Sequence, residues 1–276
     1  MNTENKNDLL VSKDVTAVQK GDISVNTKKI FYVVLKEKIK EFMQDDFAFN
    51  SDGQLDWNDI LINDIISKPM IFTYGMLRKV FGHKNFEYIR ECVDKIKFEV
   101  HFKTYNSKGA ILHKTPLFKD IAFPKYVNEI HFLLNDFMVK HLCNLQKFAK
   151  IDITELILLR TDNQIRMYEY ICEFNYLDDK GNKLMIDEKR KMKIEKFLEY
   201  FGIQDKYISY INENNKPVYL TYEIERKIII PALNGINKYT RYNAKLVKFK
   251  LDRYSRNKVT HFRIDTELKP EYKKVK

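Results

Sequence analysis

The sequence predicts an α+β fold of two similar units in series, and three observations carry that expectation. The chain has 276 residues, more than one small module needs and enough for two cores. Its apolar residues pass twice from helical spacing to a strand hairpin, so an order of helices followed by a hairpin occurs twice. Its charge is uneven: residues 217–276 hold 15 Lys/Arg against six Asp/Glu, whereas the preceding 216 hold 34 against 32. Hydrophobic residues at 44%, with only eight Gly and six Pro, fit a folded globular chain rather than a low-complexity one.

Residues 1–24 lack strong periodicity and read as a mobile N-terminal arm that touches down at Leu9, Leu10 and Val11. Over 27–43, Ile30, Phe31, Val34, Leu35, Ile39 and Phe42 recur at helical spacing and give a first amphipathic helix. Residues 45–59 are polar and turn-rich. Two short helices follow, over 73–81 and 85–96, separated by Gly82-His83-Lys84, and Tyr88, Ile89, Cys92, Val93 and Ile96 form the buried stripe of the second. The period then becomes two: Phe98, Val100 and Phe102 face one way, Glu99 and His101 the other. Asn106-Ser-Lys-Gly109 signals a turn, residues 112–126 read as an extended loop, and the chain returns through 129–134. Three helices and a strand hairpin are the order of a winged-helix domain.

The order then recurs. Asp162 or Asn163 can cap a helix striped by Ile165, Tyr168, Ile171 and Cys172. A polar turn spans 177–182. Ile194, Phe197, Leu198 and Phe201 face inward on a second helix that Gly202 stops. A third helix covers 222–238, with Pro231 removing one backbone bond to residue 227 and kinking it. A strand over 244–251, a turn over 252–258 and a strand over 259–264 complete the hairpin. The expected organisation is an arm (1–24), a first winged helix (25–148) and a second (149–276), divided near 147–153.

The basic last sixty residues create a positive potential that selects a polyanion, with DNA or RNA the default partner. An acidic membrane surface would instead call for an amphipathic basic helix, and this stretch reads mostly as strand. The third helix is the candidate for entry into a DNA major groove. Arg226 and Lys227 lie near its N-terminal end beside Thr221, Tyr222, Glu223 and Glu225, with Lys238 further along. Arginine bonds a guanine edge bidentately, and lysine does so less selectively. On the helix alone, these cations are equally compatible with a solvated face. The hairpin adds Lys245, Lys248 and Lys250 on its first strand, Arg253, Arg256, Asn257 and Lys258 at its tip, and His261 and Arg263 on its second strand. Such residues at a wing grip phosphates and give salt-dependent affinity. Edge-strand protection explains alternate lysines, but it does not require two arginines at a tip. In the first half, Arg78, Lys79, Lys84, Asn85 and Arg90 form a weaker cluster, diluted by Glu87, Glu91 and Asp94.

Four segments in order resemble the initiator replication proteins of theta-replicating plasmids. They are Arg166-Met-Tyr-Glu169, the helix end over 193–202, Arg226-Lys-Ile-Ile-Ile-Pro-Ala-Leu-Asn-Gly-Ile-Asn-Lys-Tyr-Thr240, and Thr260-His-Phe-Arg-Ile264. The resemblance runs from Leu156 to Asp265, about 40% of the chain; the first half agrees in element order only. Gly235 departs from it, standing where the family often has an acidic residue, and so does the long 112–126 stretch. The resemblance implies a tandem winged-helix binder of repeated origin sites (iterons) with no catalytic activity of its own. It maps DNA reading onto Arg226, Lys227 and the wing from Arg253 to His261. It also implies a dimer, joined through the first domain, that represses its own promoter, and monomers that load on iterons and recruit the host initiator and helicase.

No enzyme chemistry is expected. The His-hydrophobe-His metal motif of nicking initiators is approached only at His131-Phe-Leu, where residue 133 is Leu instead of the second histidine. His83, His101, His113, His131, His141 and His261 are scattered without zinc spacing. No phosphate-cradling GxxxxGK[ST] or nucleophile-elbow GxSxG occurs, and Asp45-Asp46 and Asp178-Asp179 sit in turn-rich stretches. No cofactor is implied. Cys92, Cys143 and Cys172 lie far apart among apolar residues and read as buried free thiols, which suits a reducing cytoplasm. Neither a signal peptide nor an apolar run of the roughly 18 residues a membrane span needs is seen. The expected function is plasmid replication initiation. A transcriptional regulator without a replication role and a protein-interaction module without DNA are the alternatives.

Overall fold

In the computed structural model the described residues are 8–12, 25–44, 67–82, 84–94, 99–106, 109–116, 118–136, 148–174, 191–203, 205–250 and 259–272. The turn segments 45–59 and 177–182 and the hairpin tip, with Arg253, Arg256, Asn257 and Lys258, lie outside them. The chain divides into two units, Met1–Ile153 and Thr154–Lys276.

In the first unit, β1 (Asp8–Ser12) pairs antiparallel with β7 (Phe148–Asp152), matching Leu9 to Ile151 and Leu10 to Lys150. Helix α1 (Val25–Gln44) buries Ile30, Phe31, Val34 and Leu35 as its spacing predicts, and Tyr32 as well. Its stripe is wider than the apolar pattern: Lys38 is also buried, its Nζ donating to the Lys68 carbonyl at 3.1 Å. Strand β2 (Met70–Thr73) runs directly into α2 (Tyr74–Phe81), and α3 (Phe86–Asp94) follows. At four residues, β2 is too short for its alternation to stand out from the following helix.

The strands of this unit differ from the single hairpin that the sequence suggests. Strand β3 (Glu99–Asn106) pairs with β4 (Gly109–Pro116), which starts at the predicted turn, where Asn106 opposes Gly109. A separate sheet has the order β2-β6-β5, with β5 (Phe118–Ala122) and β6 (Glu129–Leu134). Most of 112–126 is therefore strand rather than loop, and β6 pairs with β2 and β5 instead of closing on β3. Backbone groups explain the difference: an edge left open by one strand is satisfied by the next, and a long unpaired loop would leave such groups bare. Phe72 and Phe118 pack on Phe132 at 5.4 and 5.3 Å between ring centroids, at the centre of the buried face.

In the second unit, α4 (Ile153–Leu156) leads to α5 (Asp162–Phe174). The N-cap of α5 is Thr161 rather than Asp162 or Asn163. Thr161 Oγ1 accepts the Gln164 N–H at 3.3 Å, and Gln164 Oε1 accepts the Arg160 N–H at 2.7 Å, a variant of the capping box. Asp162 is used elsewhere, holding Arg166 Nε at 2.8 Å. The predicted stripe of Ile165, Tyr168, Ile171 and Cys172 is buried, and so are Arg166, Glu169 and Glu173, which makes α5 the central helix of the unit. Strand β8 (Met192–Lys193) runs into α6 (Ile194–Phe201), which ends at Gly202 with φ 66°, its N–H bonded to the Glu199 carbonyl. This is the left-handed position that glycine fills without strain.

A hairpin of β9 (Ile208–Ile211) and β10 (Pro217–Tyr219) precedes the third helix. That helix has three parts: α7 (Thr221–Ile224), a π-helical turn (Glu225–Ile229) and α8 (Ile230–Tyr239). Strands β11 (Tyr242–Lys250) and β12 (Val259–Leu268) follow, and the sheet order is β11-β12-β8. In each unit a short strand leads into a helix and pairs with the last strand of the sheet; the first unit inserts the β3–β4 hairpin before that sheet.

A buried carboxylate fixes the turn from helix to sheet. Glu155 accepts the Arg241 backbone N–H at 2.7 Å, Arg241 Nε at 3.1 Å and the Tyr168 hydroxyl at 2.6 Å. Burial, then the neighbouring Cys172 and Glu155, hold the Tyr168 phenol well above its usual range, so it remains a donor at any ordinary pH. Replacing Glu155 by Ala removes the shared acceptor of three donors, and urea unfolding should show a loss of about 3–5 kcal/mol. Gly235 is constrained in another way, because a Cβ there would overlap the Gln164 side chain. Gly235→Ala gains about 1 kcal/mol of helix propensity but displaces the flexible Gln164 side chain from the exposed Arg160 N–H, a loss of about 0.5–1.5 kcal/mol. The two effects should nearly cancel in the single variant, and adding Gln164→Ala should turn the Gly235→Ala step stabilising in a double-mutant cycle.

Candidate nucleic-acid interface

The three-part helix exposes one continuous stripe: Tyr222, Arg226, Lys227, Ile230, Pro231, Asn234 and Lys238. Its opposite side buries Ile224, Ile228, Ile229, Ala232, Leu233 and Ile236 in the unit's core. The expected disturbance at Pro231 takes the form of the π-helical turn, in which Ile230 N–H reaches back to the Glu225 carbonyl. A proline ring in a regular α-helix presses on the carbonyl four residues earlier, here that of Lys227, and the wider turn makes room for it. The turn includes Arg226 and Lys227, so the residue that breaks the ladder also sets how these two side chains leave the helix.

Carboxylates on the same helix hold these cations. Glu223 Oε2 lies 2.6 Å from Lys227 Nζ and 3.5 Å from Arg226 Nη2. Two residues on, Glu225 Oε2 accepts Lys248 Nζ of β11 at 2.9 Å, tying the sheet to the start of the helix. The i,i+3 and i,i+4 spacings of Glu223 to its partners are legible in the sequence; the Lys248 partnership is not.

The sheet divides the wing cations between two faces. Lys248 opposes buried Phe262 and reaches the helix, whereas exposed Lys245 opposes Asp265 on the other face. Their separation of three places them on opposite sides of a strand, a parity that the sequence already contains. His261 opposes Phe249 on one side and Lys193 on the other. Lys191 lies 4.4 Å from the centre of the Phe249 ring and Arg263 5.3 Å, so this outer face has a basic, aromatic cluster of its own. Lys250 ends β11 opposite Val259.

Two residues missed by the sequence reading position the wing. Asn237 spans the turn with a pair of bonds to Ala244, Nδ2 donating to its carbonyl at 3.0 Å and Oδ1 accepting its N–H at 2.6 Å. Thr240 Oγ1 donates to the Ile236 carbonyl at 2.9 Å and accepts the Tyr242 N–H at 3.2 Å. Their presence in the Gly235-Ile-Asn-Lys-Tyr-Thr240 segment was the available signal. Lys238, at the far end of the stripe, lies over Tyr239 at 5.3 Å.

In the first unit the weaker cluster is spread over two helices. Lys79 is exposed on α2. Lys84 lies over the Tyr88 ring at 5.2 Å, and Arg90 on α3 lies over Phe123 at 4.9 Å. Asn85 Oδ1 accepts the Tyr88 N–H at 2.9 Å, an N-cap role that occupies its acceptor. Of the cysteines, Cys172 is buried and Cys92 half-buried, neither in a disulfide, and Cys143 lies outside the described residues.

No protein-family profile matches the chain, and no curated protein does. Among solved structures, the chain is similar to the Pi initiator protein in its crystal structure with iteron DNA, with a TM-score of 0.63 and 11% sequence identity. The match covers 97% of this chain and 100% of the other. The shared property is the fold. It is a mixed α/β architecture of winged-helix type, with open sheets rather than barrels. Among the described residues, no group of three or more His, Cys, Asp and Glu could hold a metal ion, and no helix is long and apolar enough to cross a membrane.

Hydrogen bonding from Lys227, then the charges of Lys227 and Arg226, lower the Glu223 pKa below the usual glutamate value. A depressed carboxylate pKa means that the pairing is complete above the unfolded value and is lost as pH falls through the folded one. Carboxyl NMR should show Glu223 titrating below an unpaired glutamate, and Lys227→Met should move its midpoint back up.

Proposed function

We propose that the chain is a plasmid replication initiator that binds repeated double-stranded DNA sites. The observation that carries this reading is the match over 97% of the chain to an initiator solved with iteron DNA. In this reading the two units are tandem winged helices. The third helix of the second unit enters the major groove, with Arg226 and Lys227 directed at base edges and Tyr222 and Lys238 flanking them. The hairpin, with Lys248, Lys250, Arg253, Arg256, Asn257, Lys258 and His261, grips adjacent phosphates.

The exposed stripe supports this assignment chemically. Arg226 and Lys227 suit guanine edges, Ile230 suits a thymine methyl, and Asn234 suits adenine. Lys79, Lys84, Asn85 and Arg90 give the first unit a second, weaker contact, and that unit joins two copies into the dimer that represses the chain's own promoter. Monomers on the repeats recruit the host initiator and helicase. The protein acts in the cytoplasm, without a cofactor and without catalysis of its own.

The test is binding to repeat DNA, selected from the chain's own origin region, against a scrambled duplex at matched salt. The repeat should bind more tightly, and log affinity should fall linearly with log salt, with a slope of about −0.9 per phosphate neutralised. Equal affinity for the two duplexes overturns the reading. Arg226→Ala and Lys227→Ala should each cost about 1–3 kcal/mol on the repeat and little on the scrambled duplex, as measured by fluorescence anisotropy. Replication itself is checked by whether a minimal origin plasmid transforms cells only when the wild-type gene is present.

A further inference from the structure

We propose that Glu223 is a specificity-determining residue, its carboxylate clamping Arg226 and Lys227 so that they are withheld from indiscriminate phosphate contact. The proposal rests on the DNA-binding reading above and deepens it.

The argument begins with two acidic residues on a face that meets a polyanion. A carboxylate there repels phosphate, so each needs a reason to be present. Glu225 has a structural one: it reaches out of its helix to Lys248 and fixes the sheet against it. Among the described residues, Glu223 bridges to no other element. Its ion pairs are with Arg226 and Lys227 of its own helix, one turn on, and solvent-exposed pairs of this sort contribute little to stability. Its contribution therefore falls on the two side chains it holds.

Those two side chains have two kinds of target. Phosphates occur at every step of any duplex and attract a free cation wherever it lands. A base edge occurs only at the right step and offers directed acceptors. With the clamp in place, a phosphate contact by Lys227 or Arg226 must displace a carboxylate already 2.6 or 3.5 Å away, exchanging one anion for another with little gain. A base-edge contact replaces no charge: guanine acceptors bond the N–H groups of the cations while the carboxylate continues to neutralise them. Non-specific affinity is thus lowered more than specific affinity, and discrimination rises.

The experiment compares full-length wild type with Glu223→Gln, which keeps the shape and removes the charge. Glu271→Gln, an exposed site in the turn after β12, is the control for net charge. Affinity for repeat and scrambled duplexes is read across a salt series. Glu223→Gln should bind scrambled DNA about 3–10-fold more tightly, with a salt slope steeper by about one, while repeat affinity changes about twofold or less. Glu271→Gln should move both duplexes together and less. In a Lys227→Ala, Arg226→Ala background, Glu223→Gln should lose most of its effect on scrambled DNA.

Unchanged affinities for both duplexes overturn the proposal, as does an equal gain on both. An equal loss on both together with a lower melting temperature also overturns it, because Glu223 would then be structural. Wild type that fails to distinguish repeat from scrambled DNA overturns the DNA-binding reading itself. Wild type that discriminates, with Glu223→Gln discriminating by the same ratio, overturns only the clamp.

Discussion

The second unit depends on a carboxylate, Glu155, placed where the chain leaves its third helix and enters the sheet. Its oxygens take the Arg241 backbone N–H, the Arg241 guanidinium and the Tyr168 hydroxyl, so the first turn of the unit, its central helix and the corner at Arg241 meet at one charge. The surrounding groups complete the corner. Thr240 bonds back to Ile236 and forward to Tyr242, Lys269 Nζ donates to the Thr240 carbonyl at 2.6 Å, and Lys269 N–H bonds to the Arg241 carbonyl at 2.9 Å. A chain reversing direction there would otherwise bury unpaired backbone groups, each costly away from water. The corner therefore fixes the angle between helix and sheet.

Rigidity at the corner matters because a surface built from two elements is only as defined as the angle between them. Asn237 bonds to both backbone groups of Ala244, holding the end of the helix to the first strand. The Glu225–Lys248 pair does the same near the other end. Between these ties lies the π-helical turn, which absorbs the ring of Pro231 without breaking the helix. The exposed stripe thus sits on a helix pinned to the sheet at both ends, and its irregular turn carries the exposed Arg226 and Lys227.

The two units share a plan despite having little visible sequence in common. In each, a strand of two or four residues passes directly into a helix and returns as the edge partner of the last strand, giving the orders β2-β6-β5 and β8-β12-β11. What separates them is the β3–β4 hairpin of the first unit, the β9–β10 hairpin of the second and the distribution of charge. In the first unit, Arg90 and Lys84 lie against aromatic rings and Asn85 serves as a cap. In the second, the cations line a helix face and both faces of a sheet.

The α+β class, the helices and the basic bias of the last sixty residues were legible in the sequence, because periodicity, turn residues and charge are local properties of a chain. Ile165, Phe197 and Ile264 are buried where their spacing puts them, and Gly202 ends its helix in the left-handed conformation its position implies. The opposed directions of Lys245 and Lys248, and the placing of Glu223 one turn before Arg226 and Lys227, are also contained in the spacing. Only the tertiary structure decided the partners. Glu155 and Arg241 are 86 residues apart, and nothing local to either marks the other. By propensity a glycine inside a helix is a weak point, yet the missing Cβ of Gly235 is the space that Gln164 occupies. Buried Arg166, Glu169 and Glu173 look like a solvated face until the elements packed around α5 are in place. Periodicity tells a residue which side of its own element it occupies; only the assembled fold supplies what waits on that side.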